Sequence, residues 1–184
     1  MNSTKKVGGL NFTLSFIVFS TITLVVSTML KVKLNLDFDP VNREVILKII
    51  SLPFAIIALS LVNVFVVFIS AFGTNLFLNI VSNVRGSGNI QNSDFKTNIY
   101  LIYIIGHSLL NLTLVLYIVM SENPVQQMHL NLTSLLFYFI LSIFIYFVAD
   151  KLFKQKELLI SIVTVFFLNG IMPIIFILNN VSQI

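Results

Sequence analysis

The charged residues of this 184-residue chain are confined to the gaps between long apolar runs. Hydrophobic residues make up 57% of the sequence and charged residues only 10%, whereas a soluble domain averages about 25% charged residues. A soluble globule of this composition could not cover its core with polar surface, so lipid must be the solvent for most of the chain. The pattern predicts an all-α integral membrane protein.

The apolar runs predict five transmembrane helices in a single domain of residues 1–184. The second run, from Leu52 to Val84, contains no charged residue and would be about 50 Å long as one helix. That exceeds the hydrocarbon thickness of about 30 Å, and the end of the run is too polar to face lipid all round. We therefore expect one span with an amphipathic extension to residue 84, and the alternative is a hairpin that would make six spans. The predicted spans are residues 9–30, 52–76, 97–120, 131–148 and 158–178, with a short interfacial helix within residues 41–50.

Basic residues in the connecting segments predict the orientation of the chain. Lysine and arginine are enriched in short cytoplasmic segments, and an inside N-terminus places more of them inside than outside. This arrangement predicts a cytoplasmic N-terminus and an external C-terminus. The frequent isoleucine, phenylalanine, asparagine and lysine suggest an AT-rich genome, which favours a bacterial plasma membrane. The inside set is Lys5, Lys6, Arg85, Lys96, Lys151, Lys154 and Lys156, and the outside set is Lys31, Lys33, Arg43 and Lys48.

Amides recur within the second predicted span and its extension. Asn75, Asn79 and Asn83 are spaced by four residues, so they share one helical face. Amides within a bilayer usually face another helix, because unpaired polar groups in hydrocarbon are costly. The face is interpreted as a contact between helices or the hydrated end of the span, and the alternative is the lining of a substrate path.

The third span carries a histidine near its middle. His107 lies one turn before Asn111, and an ionisable group at the bilayer midplane is a functional candidate. A proton relay would need a carboxylate in another span, and no Asp or Glu lies in a span centre. We therefore expect a neutral His107 that is hydrogen-bonded to Asn111 or to a neighbouring helix.

The fifth span is interrupted by Asn169, Gly170 and Pro173. Proline removes a backbone hydrogen bond and kinks a helix, and glycine permits close packing. Broken helices also form substrate sites in transporters. A packing kink is the preferred interpretation, and Asn169 is kept as a candidate polar site.

Several classes of function lack the residues that they need. The chain has no cysteine and two histidines that are far apart in sequence, so no metal site and no cofactor is expected. The spans contain no pattern typical of hydrolases or phosphotransferases, so we do not expect an enzyme. The basic residues flank the spans and are explained by orientation, so no nucleic-acid partner is expected.

From about Leu52 to Leu178 the layout resembles the Yip-domain (Ypt/Rab-interacting) membrane proteins. The similar features are the long second span with its polar end, a Gly-x-Gly loop at Gly86 and Gly88, and the sequence from Ser93 to Lys96 that leads into the third span. The resemblance implies a non-enzymatic membrane scaffold with five spans and a cytoplasmic N-terminus.

The sequence therefore favours a non-catalytic scaffold or accessory subunit. Its partners would be the lipid bilayer and other membrane proteins or further copies of the chain. The alternative is a small transport component, either a substrate-binding subunit or a channel-like oligomer. A polar cavity would distinguish the alternative, and its lining would join Asn75, Asn79, His107, Asn111 and Asn169.

Overall fold

A computed structural model describes residues 3–84, 93–149 and 155–181, and every element in these ranges is an α-helix. Five of the helices are long and apolar enough to cross a membrane. The predicted all-α membrane bundle is therefore confirmed. The helices are α1 (Ser3–Phe38), α2 (Pro40–Leu47), α3 (Leu52–Val84), α4 (Ser93–Ser121), α5 (Gln127–Ala149) and α6 (Gln155–Val181).

The first helix is longer than the sequence pattern indicates. It continues to Phe38, and its candidate membrane span is Leu14–Phe38. Lys31 and Lys33 therefore lie within the helix, although the sequence placed them in the connection after residue 30. Lysine is a good helix former, and the chain has no proline before Pro40. The residue before a proline disfavours helical backbone angles, which explains why α1 ends at Phe38.

The short helix α2 begins at a well-formed cap. The Asp39 side chain accepts a hydrogen bond from the backbone N–H of Asn42, and Pro40 occupies the first helical turn. Both features are typical of helix starts. The structure therefore has a short helix at the predicted place, but it covers Pro40–Leu47.

The long apolar run is one continuous helix of 33 residues, α3. It contains both the predicted span and the predicted polar extension to residue 84. Gly86 and Gly88 of the following loop lie outside the described residues, as do Arg85, Lys151 and Lys154.

Helix α4 occupies the middle of the bundle and packs against α1, α3 and α5. Helix α6 packs chiefly against α5, with a smaller contact to α3. Large apolar side chains point outward on the long helices, as a lipid environment allows. The buried core includes Leu24, Val67, Ala71, Leu78, Ile99, Tyr103, Ile104, Leu141, Ile145, Leu158, Ile162 and Val165.

Candidate functional site

His107 lies among aromatic rings near the middle of α4. Its ring stacks on Tyr103, with centroids 6.3 Å apart, and meets the edges of Phe137 at 4.8 Å and Tyr138 at 6.0 Å. The Nε2 atom of His107 is buried and has no hydrogen-bond partner among the residues that the structure describes. An unpaired buried polar atom is costly, so this nitrogen requires an explanation.

Asn111 does not bond to His107 as the sequence suggested. Its Nδ2 atom donates a hydrogen bond of 2.8 Å to the Thr28 hydroxyl, and both residues are buried. The Thr28 hydroxyl in turn donates to the backbone carbonyl of Leu24 at 2.7 Å. The Asn111 amide therefore joins α4 to α1 within the bundle.

A cavity of ≈ 170 Å³ lies where α1, α3, α4 and α5 meet. The unpaired histidine and the amide of Asn111 both line it, because they lie one turn apart on the same face of α4. Helices α1, α3 and α5 supply the remaining polar groups. The polar lining consists of Thr28, Lys31, Asn63, His107, Asn111, Ser134 and Tyr138.

A second cavity of ≈ 230 Å³ adjoins the first and shares Lys31 and Asn63 with it. It extends to Asn35 and Gln127, at the end of the bundle where α4 connects to α5. There the backbone N–H of Val125 donates to Oδ1 of Asn35 at 3.1 Å. The two cavities together form a path from His107 towards this end of the bundle.

The charge on this path is positive. Lys31 lines both cavities, and no Asp or Glu of the described part of the chain lines either of them. The ion pairs between side chains that the structure describes are Arg43 with Asp37 and Lys48 with Glu44, so Lys31 takes part in neither. A charge within a membrane protein is expensive unless it is paired or hydrated, and such residues usually mark a functional site.

A separate groove of ≈ 280 Å³ lies between α4 and α5. Its lining is aliphatic and aromatic apart from Thr113 and Thr133, and the Thr113 hydroxyl is already bonded to the carbonyl of Leu109. This groove suits a lipid chain and offers no chemistry comparable to that of the Lys31–His107 cavity.

The other three predicted polar residues lie elsewhere. Asn79 Nδ2 donates to the backbone carbonyl of Asn75, and Asn169 Nδ2 donates to that of Val165. Asn75 is buried, and its Oδ1 atom has no partner. None of the three lines either cavity that contains Lys31. The structure thus brings His107 and Asn111 to one cavity and leaves Asn75, Asn79 and Asn169 outside it.

Tyr103 links these outlying groups to the histidine. Its hydroxyl forms a 2.6 Å hydrogen bond with Thr74 of α3, and the Asn169 side chain of α6 lies near the same hydroxyl. The same side chain is fully buried and stacks on His107. Tyr103 therefore joins α4 to α3 and supports one wall of the site.

Sequence reasoning missed five polar residues of the cavity: Thr28, Lys31, Asn63, Ser134 and Tyr138. A signal for Lys31 was present, since Thr28, Lys31 and Asn35 are spaced by three and four residues and therefore share one helical face. That signal was hidden because charged residues after an apolar run usually mark the end of a span. Gly170, by contrast, lies close to Leu135 of α5, as its predicted packing role requires.

The described residues contain no group of three or more His, Cys, Asp or Glu side chains that could hold a metal ion. Comparison with known proteins adds no identity: no protein-family model matches the chain, and neither does any curated protein or solved structure. The resemblance to the Yip-domain proteins therefore stays a prediction.

Proposed function

We propose that this chain is a non-catalytic multi-pass membrane protein that binds a small ligand within the bilayer, as a component of a transport system. The observation that carries the proposal is that Lys31 and the unpaired Nε2 atom of His107 line one cavity between four helices. Ligand sites in helical membrane proteins lie between helices and use a few polar groups in an otherwise apolar surround.

A purely structural role explains these two residues poorly. The contact between Asn111 and Thr28 joins two helices and needs no ligand. Lys31 and Nε2 of His107 form no such contact, and an apolar side chain at either position would avoid the cost of burying a polar group. Their presence is explained if a ligand supplies the missing partners.

Asn63 favours a second candidate function, a scaffold or accessory subunit of the Yip-domain type. Although Asn63 lines both Lys31 cavities, its side chain is exposed on α3, and its Nδ2 atom donates to the carbonyl of Leu59 in the same helix. Amides on a lipid-facing surface are typical of contacts with another transmembrane helix. For either function we propose a bacterial plasma membrane, a cytoplasmic N-terminus and an external C-terminus.

Purification of the tagged protein in mild detergent, followed by native mass spectrometry, tests both candidates. The ligand-binding function predicts a small molecule bound to the protein, which His107→Leu should remove while the protein still inserts and folds. Leu116→Ala is the matched control, because Leu116 is an exposed residue of the same helix and lines none of the cavities described above.

The accessory function would instead be established by a protein partner that co-purifies stoichiometrically with both the original chain and His107→Leu, with no bound small molecule. Loss of folding in His107→Leu but not in Leu116→Ala would contradict both candidates, because it would make His107 a structural residue.

A further inference from the structure

We infer that the ligand of the Lys31–His107 cavity carries an anionic oxygen group, a carboxylate or a phosphate, which binds between Lys31 and His107. This inference rests on the proposed ligand-binding function and adds the chemical class of the ligand. It follows from the charge of the cavity, from the hydrogen-bond groups left free in it and from its shape.

The charge requires a negative partner. Lys31 contributes an ammonium group, and no acidic side chain lines either cavity. The acidic residue nearest to Lys31 in sequence, Asp37, is paired with Arg43 at 3.7 Å. A cationic ligand would be repelled and a neutral one would leave the ammonium unpaired, whereas an anion would neutralise it.

The free hydrogen-bond groups of the cavity are mainly donors. The Thr28 hydroxyl and the Asn63 amide are already bonded to backbone carbonyls of their own helices. Lys31 has three N–H donors, and the hydroxyls of Ser134 and Tyr138, which form no hydrogen bond with described residues, can each donate one more. In the tautomer that carries its proton on Nε2, His107 adds one more donor, and these groups together match the acceptor oxygens of a carboxylate or phosphate.

The shape indicates an amphiphilic ligand. A volume of ≈ 170 Å³ is about that of five or six water molecules, which is enough for a carboxylate or phosphate. The adjoining ≈ 230 Å³ is lined mostly by aliphatic side chains and continues the same path. The anionic end would lie beside His107, and an apolar substituent would extend towards Val125. The aliphatic lining is Val32, Leu36, Leu59, Leu114, Val125 and Leu130.

Equilibrium binding of radiolabelled octanoate to the full chain in phosphatidylcholine nanodiscs tests the inference, with empty nanodiscs as the blank. Octyl phosphate should compete with the label, whereas octanol and octylamine at the same concentration should not. Lys31→Met should weaken octanoate binding at least tenfold. Lys33→Met is the matched control, because Lys33 is exposed on the same helix and lines neither cavity.

The competition among octanoate, octanol and octylamine needs no variant, so it decides the charge preference even if Lys31→Met fails to fold. Replacing part of the phosphatidylcholine with phosphatidylglycerol distinguishes two sources of the anionic group. Displacement of octanoate would identify a lipid headgroup as the source of the anionic group. Unchanged binding of octanoate would identify a water-soluble acid as the source. Both results support the inference.

Equal competition by octanol, or unchanged binding in a folded Lys31→Met protein, would overturn the anionic class and leave ligand binding intact. Absence of binding by every compound, together with purified protein that carries no small molecule, would overturn the proposed function as well.

Discussion

Two regions of the bundle are held together differently. In the polar region, where α4 meets α1 and α3, side-chain hydrogen bonds cross between helices. In the apolar region, α5 and α6 meet through apolar and aromatic contacts. Asn111 bonds to Thr28, and Tyr103 bonds to Thr74. In the apolar region the Phe139 and Phe166 rings meet edge to face, with centroids 6.1 Å apart. Gly170 of α6 is packed so closely that an added Cβ atom would lie 3.3 Å from Leu135.

The difference teaches what each region does. Lipid tails are as apolar as leucine, so helices in a membrane associate through close packing and interhelical hydrogen bonds instead of the hydrophobic effect. The α5–α6 pair uses close packing of apolar and aromatic side chains. The hydrogen bonds of α4 position α1 and α3 around the Lys31–His107 cavity, so the polar region is the one suited to function.

Tyr103→Ala should produce the largest loss of stability, because it breaks the polar region at its centre. Tyr103 is fully buried, bonds to Thr74 of α3 and stacks on His107. Truncation of a large buried aromatic side chain lowers the free energy of unfolding by about 3–5 kcal/mol. Unfolding by dodecyl sulfate in mixed micelles measures this change.

Leu116→Ala is the control for Tyr103→Ala, since Leu116 is an exposed residue of the same helix and its truncation should be nearly neutral. Tyr103→Phe removes only the hydroxyl and should cost about 1 kcal/mol, as interhelical hydrogen bonds in membranes do. Equal effects of Tyr103→Ala and Leu116→Ala would show that Tyr103 does not hold the polar region together.

Gly170→Leu should break the apolar region. The added side chain would enter space that Leu135 and Ile174 occupy, and overpacking of a close contact costs about 1–3 kcal/mol. Gly73→Leu is the matched control, because nothing lies within 4 Å of a Cβ atom at Gly73. The same unfolding measurement compares the two variants, and an equal loss in both would contradict the close α5–α6 contact.

A double-mutant cycle of Thr28→Val and Asn111→Leu should sharpen the comparison. The hydrogen bond between these residues predicts a coupling energy of about 0.6 kcal/mol, with an upper limit of about 1.7 kcal/mol. A cycle of Thr113→Val with Asn111→Leu should show no coupling, because the Thr113 hydroxyl bonds within its own helix. Zero coupling between Thr28 and Asn111 would remove the main link between α1 and α4.

Much of the fold could be predicted from sequence, because lipid exposure imposes long apolar runs. The helical class, the five candidate spans and the uninterrupted helix from Leu52 to Val84 follow from such runs. The end of α1 could not be predicted in this way. Lys31 interrupts an apolar run, yet the helix continues to Phe38 because nothing before Pro40 stops it.

Only some of the site residues could be predicted from the sequence. His107 and Asn111 are conspicuous because they are polar groups inside an apolar span, and both line the cavity. Asn75 and Asn169 are equally conspicuous, but a side-chain amide can bond within its own helix or to an adjacent side chain, and its use depends on helix rotation. Rotation about the helix axis is set by packing between helices, which a single sequence does not specify.

Glu122→Gly should have the smallest effect and should raise stability. Glu122 follows α4 in the turn that joins the polar region to α5, and its φ angle of 53° is in the left-handed region. Its backbone N–H still caps the helix by donating to the carbonyl of Ile118 at 2.9 Å. A left-handed conformation costs a side chain about 1–2 kcal/mol and glycine almost nothing, while the greater unfolded entropy of glycine offsets about 0.5–1 kcal/mol.

The net gain expected for Glu122→Gly is about 0.5 kcal/mol in the same unfolding assay. Glu44→Gly should change stability in the opposite direction, because Glu44 lies inside α2 and pairs with Lys48. The gain in stability should be compared for two steps, the separation of α4 from α5 and the separation of α5 from α6. A gain in the first step alone would show that the polar and apolar regions unfold independently. Loss of stability in Glu122→Gly would mean that the Glu122 side chain itself stabilises the turn. The stability of the polar and apolar regions would then be coupled through this turn.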